Sequence, residues 1–113
     1  MSNTLEILKA ARELISAPER WTRDQFSRNE AGFAIDPESE KACCFCAVGA
    51  LIKVSDNDIF LRHQAKDFLA EHLPVGYASI PAFNDSHTHP EVVALFDAAI
   101  ASLSTPVEQE KRS

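Results

Sequence analysis

Apolar residues recur at helical spacing in four stretches of the chain. Leu5, Leu8, Ala11 and Ile15 form the first stripe, with Glu6, Lys9, Arg12 and Glu13 mostly opposite. This predicts a helix from Thr4 to about Ser16, capped by Asn3 with Glu6 reaching back and ended by Pro18. A second helix is expected from Ser39 or Glu40 to about Val54. A third is opened by the cap residues Ser55 and Asp56, carried by Ile59, Phe60, Ala65, Phe68, Leu69 and His72, and closed by Pro74. The fourth has the strongest start signal. In THPE, Thr88 and Glu91 can satisfy each other's backbone amides, and Pro90 lies in the first turn where its missing N–H is harmless. Val92, Leu95, Phe96, Ala99, Ile100 and Leu103 then mark its buried face.

The intervening pieces lack this period. In WTRDQFSRNEAGFAIDP, Phe26 and Arg28 precede NEAG, and Phe33 and Ile35 follow it, which suggests a short hairpin turned at Gly32. Two strands are marginal alone, so the ribbon should lie on the helices, anchored by Trp21, Phe26 and Phe33. VGYASIPAFNDSH reads as irregular, with Gly76 and Pro81 as breakers, and residues from about 105 to 113 as a frayed tail. The expected architecture is mainly α: a four-helix small domain over residues 1–113, with a short β-hairpin between helices one and two.

Composition narrows the classes. The chain has 113 residues, ordinary apolar and charged shares, and no apolar run long enough to span a bilayer. Its start lacks a basic segment followed by an apolar one, so a cytoplasmic protein with reduced thiols is expected. The net charge is -6, and from Ala31 onward six basic residues face twelve acidic ones. An acidic body repels phosphate backbones, which argues against nucleic-acid binding; Arg20, Arg23 and Arg28 read as a solvated loop.

The densest candidate chemistry is KACCFCAVGAL, residues 41–51. On a continuous helix, Cys43, Cys46, Ala47, Ala50 and Val54 share one side and Phe45, Val48 and Ile52 the other, so the segment is apolar all round and should be central. Gly49, unfavourable in a helix interior, predicts the close approach of a backbone or ring. Tight packing accounts for the stretch, since free cysteine behaves as a small buried hydrophobe. Two chemical alternatives stand beside it. Zinc would need Cys43 and Cys46 with His87 and His89, but Cys44 and Cys46 lie roughly 160° apart on a helix, and this spacing is not an established zinc pattern. A cysteine-dependent hydrolase or transferase would use Cys46 with His87 or His89, and needs the helix to begin near Cys44 so that its dipole acts on the thiol. The SDND segment, residues 55–58, lacks the glycine and distal glutamate of a calcium loop and reads as helix capping.

Two blocks carry a resemblance. Trp21-Thr22 followed by CAVGAL, and then AFND with Thr88, Glu91, Val92, Val93, Leu95, Phe96 and Ala99-Ile100, are similar to a family of small bacterial and phage-encoded proteins of unknown function. Members commonly show tryptophan before a C-A-x-G-A-L helix, then an aromatic-Asn-Asp loop, often with Pro-Gly. Ser86 and His87 stand where that Pro-Gly often occurs, and Cys43 and Cys44 are extra, so the resemblance implies no role for them. It does imply that Trp21, Cys46, Asn84, Asp85 and Thr88 line one cleft; the alternative is that Asn84 and Asp85 bond the loop backbone, Thr88 caps and Trp21 fills the core.

These observations favour a non-catalytic binding or protein-interaction module without a cofactor. Its expected partner is another protein or a second copy of the chain, a homodimer using small residues of helices two and four with Phe96. Neither nucleic acid nor membrane is expected as a partner.

Overall fold

The computed structural model describes residues 3–56 and 58–104. Among them are five α-helices, not the four expected, and one two-stranded antiparallel pair. Helix α1 (Thr4–Leu14) starts at Asn3, whose side chain accepts from the Glu6 amide at 2.9 Å. A 3-10 turn, Pro18–Arg20, follows it. Helix α2 (Ala47–Ser55) is succeeded by α3 (Ile59–Ala70), α4 (Ile80–Ser86) and α5 (His89–Ser104). The N-cap of α3 is Asp58, which accepts from Leu61 N–H; this lies a little beyond the Ser55 and Asp56 expected.

The cysteine segment departs most from expectation. Strand β1 (Ser27–Arg28) pairs with β2 (Cys44–Phe45), in the register Ser27 with Phe45 and Arg28 with Cys44. Cys43 N–H donates to Arg28 O at 2.9 Å and Cys46 N–H to Phe26 O at 3.0 Å, so the chain stays extended until Cys46. Consecutive cysteine and phenylalanine favour a strand once a partner edge is present, and helical periodicity cannot register that partner. Ser39, expected near a helix start, instead closes a turn, accepting from Lys41 N–H at 3.1 Å. The expected hairpin partner at Phe33–Ile35 contributes a single bridge between Arg28 and Ala34, with Asn29 organising the turn. Phe26 and Phe33, expected as anchors, are 49% and 69% exposed.

α1 packs against α2, α3 and α5, while α2 also meets α3 and α4. Leu8, Ala11, Ile15, Ala47, Ala50, Leu51, Leu69, Val92, Phe96 and Ala99 are fully buried in one core cluster. Phe96 therefore belongs to the chain's own interior and presents nothing to a second copy. Gly49 has the predicted close neighbour: a Cβ there would lie 1.9 Å from the Phe26 carbonyl oxygen. Without a side chain on Gly49, α2 can rest directly on the main chain entering β1. No helix among the described residues is long and apolar enough to cross a membrane.

Candidate functional site

The site is built around the first turn of α2. Helix starts leave backbone N–H groups without internal partners. Two side chains meet them here: Cys46 Sγ accepts from Gly49 N–H at 3.3 Å, and Asn84 Oδ1 accepts from Ala47 N–H at 3.1 Å. Asn84 reaches this position because α4, which begins at the Ser79 cap with Pro81 in its first turn, packs against α2. This stretch, expected to be irregular, is helical because Pro81 lies in the first turn, where its missing N–H breaks no helical bond.

Asn84 is fully buried and holds four hydrogen bonds. Its Oδ1 also accepts from Trp21 Nε1 at 2.8 Å, and its Nδ2 donates to Thr22 O at 3.1 Å and to Asp85 Oδ1 at 3.2 Å. Two acceptor and two donor positions are the full capacity of a carboxamide. Asp85 Oδ1 accepts in turn from Asp24 N–H at 2.9 Å, and Asp24 adopts a left-handed backbone, φ 71. Trp21, Thr22, the start of α2 and, through Asp85, Asp24 are thus tied to one amide group on α4.

Beside this hub lies an open pocket of about 190 Å³, lined by Asp24, Gln25, Phe26, Cys46, Pro81 and Asp85. Of the five residues implied by the resemblance, Cys46 and Asp85 face it. Trp21 and Asn84, joined by their hydrogen bond, are not among its lining residues. Thr88 lies apart at the start of α5, where its N–H and hydroxyl both donate to Glu91 Oε1, at 2.8 and 3.1 Å. These two bonds hold the Glu91 carboxyl below its ordinary pKa. Asp24, Gln25, Phe26 and Pro81 were not anticipated. They join the pocket through a loop conformation and a short helix, neither of which has a periodic signature.

The thiol of Cys46 is held above its ordinary pKa. Burial is the largest cause; backbone N–H groups of Gly49 and Val48 oppose it, and the negative charge of Asp85 adds to it. A helix N-terminus normally favours thiolate, but here desolvation outweighs it. The histidines named as its partners sit elsewhere. His87 stacks on Phe83 with ring centroids 3.8 Å apart, and its Nδ1 lies 2.9 Å from Phe83 O. His89 Nε2 meets Ile15 O at 2.6 Å while the ring faces Trp21. Cys43 and Cys44 are half-buried on and beside β2. No three His, Cys, Asp or Glu residues among those described are grouped to hold a metal ion.

Of the three arginines expected to be a solvated loop, Arg20 is exposed, whereas Arg23 and Arg28 are structural. Arg23 donates to His87 O through Nε at 3.0 Å and through a second guanidinium nitrogen, and it lies over Trp21. Arg28 bonds Thr22 Oγ1, Gly32 O and Arg23 O.

The tryptophan, the C-A-V-G-A-L helix start and the Asn-Asp pair thus meet at one point, and a family model spanning both blocks matches residues 1–102. The chain belongs to DUF6197, a family of unknown function. No curated protein and no solved structure matches the chain. The family assignment covers every element that builds the pocket, so hub and pocket fall wholly within the matched region.

Proposed function

We propose that the chain is a non-catalytic binding module of the cytoplasm, and that its binding element is the pocket beside Cys46. The observation that carries this is the saturated Asn84 amide, which locks the two walls together and leaves the pocket preformed. Preorganised walls need no ordering when a ligand arrives, which is where much binding energy is otherwise lost. The pocket combines apolar surface from Phe26 and Pro81 with a few polar groups, as binding sites do. Its thiol is protonated and has a carboxylate rather than an imidazole for a neighbour, which favours recognition over nucleophilic chemistry.

The test is a titration of the isotopically labelled full chain with capped Gly-Gly-X-Gly-Gly peptides that vary X, followed by amide NMR shifts. At least one peptide should move the amides of Gln25, Phe26, Cys46 and Asp85 saturably, and Phe26→Ala should weaken the effect. If no peptide perturbs these amides, the proposed binding element is wrong.

A further inference from the structure

We propose that this pocket seats a basic side chain, arginine in preference to lysine, presented by an exposed segment of a partner protein. The proposal rests on the binding-module reading above and adds the chemistry of the ligand.

Size comes first. At about 190 Å³ the pocket is smaller than the roughly 300–1,000 Å³ typical of sites for whole small molecules, and it is open to solvent. One side chain entering from a larger body fits those dimensions. Charge comes second. Asp24 and Asp85 both line the pocket, and Asp85 directs only Oδ1 inward, to Asp24 N–H and Asn84 Nδ2. No hydrogen bond among the described residues occupies Asp85 Oδ2 or the Asp24 carboxylate, and the two ion pairs, Arg12 with Asp97 and Arg62 with Glu38, lie elsewhere. Neither carboxylate forms an ion pair among the described residues, since Arg23 and Arg28 donate to backbone carbonyls and to Thr22 instead.

The walls then select among cations. Phe26, 49% exposed, and Pro81 can cover the methylene stem of a long basic side chain. An aromatic ring beside two separate carboxylates suits a planar guanidinium, which can stack and donate in several directions at once, better than a compact ammonium. Cys46 lines the pocket as a buried residue, and no lining residue carries a positive charge that would repel a cation. The net charge of -6 also attracts a basic partner from a distance.

The same peptide titration provides the test, with X as arginine, lysine, citrulline, leucine or glutamate, and with free ethylguanidinium as the non-peptide probe. The arginine peptide should bind about fivefold or more tighter than its neutral citrulline analogue, a margin expected for partly exposed charge pairs, and should weaken as salt is added. Asp85→Asn keeps an oxygen for the Asp24 amide and should preserve the spectrum while removing most of the arginine preference; Asp24→Asn should act likewise. Should the citrulline or leucine peptide match arginine at the same amides, the charge inference fails while the binding module stands. Ethylguanidinium binding as tightly as the arginine peptide would overturn the protein source of the ligand. Silence of every peptide at these amides would defeat both proposals.

Discussion

Two influences oppose each other at Cys46. The first turn of α2 offers its N–H groups to the sulfur, whereas burial and Asp85 disfavour charge on it, and the second influence prevails. The native thiol should therefore resist iodoacetamide at neutral pH while the half-buried Cys43 and Cys44 react first. Mass mapping of the alkylated sites checks this order; rapid modification of Cys46 would instead point to thiol chemistry. The raised pKa also fixes a sign. Above the ordinary thiol value of 9.0 the unfolded chain loses this proton while the folded chain retains it, so stability falls as pH rises through that range. Replacing Cys46 with Ala should flatten this alkaline slope in urea denaturation, whatever its effect at neutral pH. Cysteine as a buried small residue was legible from its apolar surroundings. Its position as a cap was not, because capping depends on where β2 lets go of the chain.

Helix and strand boundaries were set by competition for backbone hydrogen bonds. α1 and α5 carried their own start signals and begin where those signals stand, at Asn3 and Thr88. Glu91 serves α5 best as a carboxylate. Its depressed pKa means that its contribution is present at neutral pH and fades as pH falls through and below the ordinary value of 4.5. Glu91→Gln should accordingly lower the melting temperature at neutral pH, with the gap from wild type closing in acid; a constant gap would exclude the carboxylate as its source. The start of α2 had no such local code, since Phe26 O and Arg28 O capture the amides of Cys46 and Cys43 before a helix can. Gly49 marks that contact in the sequence without naming the partner. Gly49→Ala would drive a methyl group into the Phe26 carbonyl and should destabilise by about 1–3 kcal/mol, the usual range for overpacking. Chemical denaturation would measure it, and a neutral substitution would mean that β1 moves aside freely.

Across the whole molecule, Asn84 joins segments that are far apart in the chain, Trp21 and Thr22 at one end of the network and Ala47 at another. Asn84→Ala would leave the Trp21 indole N–H, the Ala47 amide and the Thr22 carbonyl without their partner. Each abandoned buried group costs on the order of 1–3 kcal/mol, so a loss of about 3 kcal/mol is expected after water relieves some of them. Urea midpoints of wild type and variant measure the loss, and the same variant should loosen the pocket walls, seen as broadened amides at Gln25 and Phe26. Exposed Arg12 and Asp97 also join distant elements, α1 and α5, yet a solvated pair of this kind contributes little beside the Asn84 hub.

The sequence by itself determined the mainly helical character, the stripes of α1 and α5, the central placement of the small-residue stretch and the need for a close neighbour at Gly49, because each follows from periodicity or local steric rules. Tertiary structure alone decided that the cysteines pair with β1 before α2 starts, that Ile80–Ser86 is helical, and that Asp24, Phe26, Cys46, Pro81 and Asp85 surround one pocket. Those outcomes depend on hydrogen-bond partners and neighbours distant in the chain, which a pattern read residue by residue does not contain.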